Sequence, residues 1–180
     1  MGISRLPGTT IEADMRSPER AMQIFTPLFD AGGLVLSQVS SLTGMPPYQV
    51  QNWVKRGFVS PPKHKRYTVE QFSRIAIINM LKDSMQIEKI VALINYLNTR
   101  PPEGGAAVDD SELYIVFTEI SLRVITDGGY DEQALERELK ELRVEPEIEP
   151  RLKNVLRVMI MAHAVARMRQ DVEQKMLEIV

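Results

Sequence analysis

The sequence predicts a mainly α-helical protein with one short β-hairpin, arranged as a small helical block joined by a linker to a second helical half. Three observations carry this prediction. Helix-start signals recur at Ser17-Pro18, Ser37, Pro46-Pro47, Thr68 with Gln71, Asp109 with Glu112, and Asp131. Apolar residues return at helical spacing, as in Ile87, Ile90, Val91, Ile94 and Leu97. Strand-like patterning is nearly absent outside the stretch that ends at Tyr67.

Residues 1–33 read as an N-terminal helical arm, with a helix starting at Ser17-Pro18, running towards Phe25 and interrupted by Thr26-Pro27 before Gly32-Gly33 ends the segment. A block over 34–98 follows. Ser37 is the expected cap of a two-turn helix that Gly44 stops, and Pro46-Pro47 restarts the chain as a helix through Arg56, stopped by Gly57. Pro61, Pro62 and clustered charge then suit an extended wing over 59–67. Thr68 and Gln71 box the start of a helix to about Lys82, and a further helix ends near Asn98. Residues 99–108, "TRPPEGGAAV", read as a linker that lets the halves adjust. In the C-terminal half, 109–180, Asp109 caps a helix to about Ile125, Asp131 caps the next with Tyr130 and Leu135 as its staple, and Arg151 to Ile179 reads as one long helix.

Composition narrows the function classes. The 180-residue chain is 44% hydrophobic and 26% charged, as ordinary globular proteins are. It has no cysteine, which excludes disulfides, thiolate zinc sites and thiol redox chemistry. Its two histidines, His64 and His163, are far apart in sequence, and no glycine loop is suited to cradling phosphate. Neither an enzyme nor a cofactor nor a metal site is therefore expected. No apolar run approaches the roughly 18 residues of a membrane span, and the N-terminus lacks the apolar region of a secretory signal, so a cytoplasmic protein with no membrane partner is expected.

Charge is unevenly placed. The net charge is -2, yet residues 31–69 hold five basic residues (Lys55, Arg56, Lys63, Lys65, Arg66) and no acidic one, while residues 103–150 hold 14 acidic and 4 basic. A local cationic patch of this kind is the footprint of a polyanion partner, although short basic runs are more often solvated faces. On a helical wheel with Tyr48 at 0°, Trp53 falls at about 140°, Val50 at about 200° and Val54 at about 240°. The opposite face collects Tyr48, Gln51, Asn52, Lys55 and Arg56. Amides can pair with adenine edges, and Lys or Arg with guanine edges or phosphates. Trp53 reads as core, with base stacking as the alternative.

A very short turn between two short helices, the second with one apolar and one polar face, is the pattern of a helix-turn-helix. The run "LSQVSSLTGMPPYQVQNWVKRGFVSP", then "KRY", then "EQFSRIAIINMLKDSMQIEKIVALINYL" resembles the DNA-binding domain of the MerR family of regulators. Leu42-Thr43-Gly44, Gly57-Phe58-Val59-Ser60-Pro61, Arg66-Tyr67 and Ile87-Glu88-Lys89-Ile90 occupy the places of that family's motifs. The whole chain further resembles an uncharacterised bacterial family in which a MerR-like domain is joined to a helical tail. The resemblance implies a winged helix-turn-helix fold, double-stranded DNA as partner, and Tyr48, Gln49, Gln51, Asn52, Lys55, Arg56, Lys63, His64, Lys65, Arg66 and Tyr67 as DNA-binding residues. The chain departs from the family in the second helix, at Tyr48, Gln51, Asn52 and Trp53, so base preference does not carry over, and with no cysteine it lacks the ligands of the family's metal sensors.

In the last helix, Val158 to Met168 is apolar almost all round, which argues burial in a bundle, and methionines from Met159 onward suit core filling or an adaptable pocket. The expectation is a sequence-specific transcriptional regulator that pairs with a second copy through its tail, with any small-molecule effector unknown. Two other readings stay open: an excisionase-like architectural protein, and a protein-interaction adaptor whose winged domain no longer binds DNA.

Overall fold

The structure, a computed structural model, describes residues 3–14, 26–30, 32–100, 107–126 and 129–179. Among them the fold is mainly helical, with seven α-helices and three two-stranded antiparallel clasps. No described helix is long and apolar enough to cross a membrane.

The N-terminus departs from expectation. Strands β1 (Ile3–Arg5) and β2 (Glu12–Asp14) pair as a hairpin where a helical arm over 1–33 was expected; the helix expected from Ser17 to Phe25 lies outside the described residues. Three-residue strands are too short to hold alone. The hairpin is instead pinned from outside: Leu6 is fully buried, and the Tyr114 hydroxyl donates to Pro7 O at 2.8 Å. Gly8 (φ +71) passes so close to the central helix that a Cβ there would meet Ala76 O at 2.1 Å. Only glycine fits.

A 3-10 turn over Thr26–Phe29 leads to β3 (Leu34–Val35) and α1 (Leu36–Thr43). The helix starts one residue ahead of the expected Ser37 cap because Gln38 Oε1 accepts from Val35 N at 2.9 Å, and Gly44 ends it in the left-handed conformation. Residues 44–46 alone separate it from α2 (Pro47–Lys55), which has proline at its first position and is closed by Arg56 and Gly57. Strand β4 (Arg66–Tyr67) then returns antiparallel to β3, Tyr67 opposite Leu34.

Helix α3 (Val69–Leu81) is the centre of the protein. Thr68 Oγ1 accepts from Gln71 N and Gln71 Oε1 from Thr68 N, as the sequence predicts, and nine of the helix's 13 residues are buried. It packs against α1, α4 (Ile87–Asn98), α5 (Asp110–Val124) and α7 (Glu149–Ile179). Between α5 and α7 come the clasp β5 (Ile125–Thr126) with β6 (Gly129–Tyr130), and α6 (Glu132–Glu141), capped by Asp131. At 31 residues α7 is about 46 Å long. It begins before Pro150, which a first helical turn tolerates.

Polar ties join the two sides of the 99–108 stretch. Arg74 on α3 donates through Nε to Asp110 at 2.6 Å, through Nη1 to Phe58 O, and through Nη2 to Asn95 and Asn98. Asn98 in turn donates to Val108 O at 2.7 Å. Arg151 of α7 lies 4.6 Å over the Tyr96 ring and donates to Tyr96 O and Thr99 O at the end of α4. One apolar core runs from Leu6 to Ala164 across both halves.

Candidate nucleic-acid interface

Helix α2 is oriented by its apolar stripe. Val50 and Trp53 are buried beneath it, so the opposite face turns outward and leaves Tyr48 (72% exposed), Gln51, Asn52 and Lys55 at the surface. The wheel anticipated this division. Gln49, between the two faces, is half-buried and lines a cleft beside the N-terminal hairpin.

The wing is rigid at its root and strained at its tip. The side chain of Gln71 donates through Nε2 to Ser60 O, Ser60 Oγ and Pro61 O at 2.9 to 3.1 Å, so the residue that boxes α3 also anchors the entry to the wing. Phe58 N donates to Trp53 O at 2.9 Å and ties that segment back to α2. At the tip His64 (φ 49) and Lys65 (φ 61) are both left-handed, and Arg66 N donates to Lys63 O at 2.9 Å. Two such residues in sequence make the kind of hairpin turn that favours Asn-Gly, and each L side chain there costs about 1 kcal/mol. Lys63, His64 and Lys65 are exposed.

Three expected binding residues are placed differently. Tyr67 is 3% exposed, because strand alternation turns Arg66 outward and Tyr67 into the core; burial also holds its phenol above the usual range. This removes Tyr67 from the candidate face. Arg56 pairs with Glu88 of α4 at 2.6 Å, both about half-exposed, and lies 4.4 Å over the Phe58 ring. Arg66 remains exposed but its Nη1 donates to Gly33 O at 2.8 Å. Of the five cations, Lys55, Lys63 and Lys65 are the ones that reach outward without such internal engagements among the described residues.

Gln71 and Arg74 are the residues that sequence reasoning missed. Gln71 was legible as a capping residue, but its wing contacts depend on where the chain returns. Arg74 has no signal beyond being a lone cation between Phe72 and Ile75, and it fixes Phe58 O directly behind α2. Among the described residues no group of three or more His, Cys, Asp or Glu is placed to hold a metal ion.

Residues 29–117 match the family model of a domain of unknown function, DUF1836. That stretch takes in α1, α2, the wing, α3 and α4 and ends inside α5, beyond the Arg74–Asp110 pair. No curated protein and no solved structure matches the chain.

Proposed function

We propose that the protein is a double-stranded DNA-binding transcriptional regulator that works as a homodimer, with α2 as the reading helix of a winged helix-turn-helix. The observation that carries this reading is the division of α2: Val50 and Trp53 buried, Tyr48, Gln51, Asn52 and Lys55 exposed, on a helix reached by a three-residue turn. Gln51 and Asn52 supply amides for base edges, while Lys55, Lys63 and Lys65 supply charges for phosphates. A second copy is supported by α7, where Val158, Met161, Val165, Met168, Val172, Met176 and Ile179 are exposed at steps of three or four residues, alternating as far as Val172 and interrupted by a second step of four to Met176. That is the spacing of a coiled-coil seam.

With three lysines per protomer, about six phosphates are neutralised in a dimer, and log K should fall with log salt at a slope near -5. A duplex selection followed by titration across salt tests the reading. A second reading has an observation in its favour: Glu88 and Gly33 O engage Arg56 and Arg66, which thins the cationic face and suits a protein-interaction adaptor. A slope near zero and no selected motif would decide for the adaptor.

A further inference from the structure

On another side of the protein, the N-terminal hairpin, the turn ahead of α2, the end of α3 and the middle of α7 enclose a cleft of about 760 Å³. That lies within the roughly 300–1,000 Å³ of small-molecule sites. Its walls are braced by hydrogen bonds. Asn79 Nδ2 donates to Gly8 O and Thr43 O, both at 3.0 Å, holding the hairpin and the end of α1 apart at a fixed distance. Lys82 Nζ donates to Asn79 Oδ1 at 2.6 Å. Arg5, Lys82 and Arg167 line the cleft, against Glu12 and Asp83.

His163 decides what chemistry the cleft can do. Its Nδ1 is shut from solvent with no hydrogen-bond partner, and its ring stands edge-on to Phe117, with centroids 5.7 Å apart. Burial first, and the Arg167 charge second, lower its pKa to about 4, so the ring is neutral at pH 7 and carries one proton. A buried N–H without an acceptor is rarer in folded proteins than a bare buried acceptor, which assigns the proton to Nε2. Among the described residues no acceptor engages that N–H. A hydrogen-bond donor with a lone proton thus stands in a cleft whose lining, among the described residues, includes three cations and two anions.

We propose that this cleft binds a small organic anion, a carboxylate or phosphate ester, which accepts a hydrogen bond from His163 Nε2 while Arg5 and Lys82 meet its charge. The proposal does not depend on DNA binding, although the Gly44–Pro46 wall places the ligand against the turn that leads into α2.

The test uses the full chain and its two histidines, whose Cε1–H signals report separately on the cleft (His163) and on the wing (His64). Citrate, glycerol 3-phosphate and adenosine monophosphate are titrated one at a time, each against sodium chloride at equal ionic strength. At least one should shift the His163 signal saturably, with Kd below about 1 mM, and leave His64 where it was. His163→Phe keeps a ring beside Phe117 but has no N–H, and Arg5→Gln removes an exposed charge. Each should weaken binding at least about ten-fold by calorimetry. No saturable His163 shift with any of the three up to about 20 mM overturns the proposal, as do shifts at both histidines that sodium chloride reproduces. Arg5→Gln decides alone if His163→Phe fails to fold, and wild-type affinity in that variant also overturns it.

Discussion

Helices α3 and α7 are both apolar on more than one side, and only one of them is covered. Around α3, α1, α4, α5 and α7 close nearly every face, with nine of its 13 residues buried. Helix α7 buries Leu152, Val155, Leu156, Met159, Ile160, Ala164 and Ala166 in the same core, yet Val158, Met161, Val165 and Met168 between them remain exposed. The all-round apolar stretch expected to be buried in a bundle is thus two faces with two fates. The described residues close the inner face and leave the outer one open.

The strongest way to break this comparison is to uncover α3. Arg74→Ala would strand Asp110, which is nearly buried, and strip donors from Phe58 O, Asn95 and Asn98. Losing one partner of a buried pair costs about 3–5 kcal/mol. Urea unfolding should register a loss of that size. A cost below about 1 kcal/mol would mean that α5 is not locked to α3 by this ion pair.

Next in size is the inner face of α7, read through pH. A histidine whose folded pKa is lowered from 6.5 to about 4 stabilises the fold fully above pH 6.5, because the unfolded chain alone takes up the proton below that value. The contribution falls away as pH drops towards 4 and is constant below. Across the window it amounts to roughly 3 kcal/mol. Stability measured from pH 7 to pH 4 should show this slope, and His163→Phe should remove that part of it. An identical pH profile in the variant would place His163 in water.

The outer face of α7 can be tested without disturbing the inner one. Val165→Glu with Met168→Glu puts like charges on positions that are 56% and 57% exposed, so the monomer's own stability should change by less than about 0.5 kcal/mol. Light scattering should record a dimer for the natural chain and a monomer for the double variant, a weakening of association of at least about 100-fold, or roughly 2.7 kcal/mol. A natural chain that is monomeric at all concentrations would assign the seam to another partner.

The sequence made some of this legible and hid the rest for physical reasons. Thr68 with Gln71, Asp109 with Glu112, and Asp131 act within a few residues of themselves, and all three cap as expected. Trp53 followed from helical spacing, which needs only local geometry. The hairpin at Ile3–Asp14 was hidden because its strands are held by Gly8 against Ala76 and by Tyr114 on Pro7, contacts across some 70 to 110 positions. Tyr67 and Arg66 were indistinguishable by composition; which points inward depends on the pairing of β4 with β3. The cleft around His163 joins residues from Arg5 to Gln170, so no window of sequence contains it.

The smallest expected effect sets the wing against the core, because among the described residues the non-glycine positions with positive φ are the two at the wing tip. His64 and Lys65 hold left-handed conformations at an exposed tip, and packing there offers no compensation. Lys65→Gly should relieve the strain and stabilise the protein by up to about 1 kcal/mol, after the extra freedom that glycine gives the unfolded chain is subtracted. On the DNA reading the same change removes one phosphate contact per protomer, so affinity should fall for all sequences alike while the selected motif stays the same, and the salt slope should lose about two units in a dimer. Thermal unfolding and duplex titration on one preparation measure both. A stabilised variant with undiminished affinity would remove the wing tip from the interface, whereas a destabilised one would mean that Lys65 makes a contact that offsets its strain.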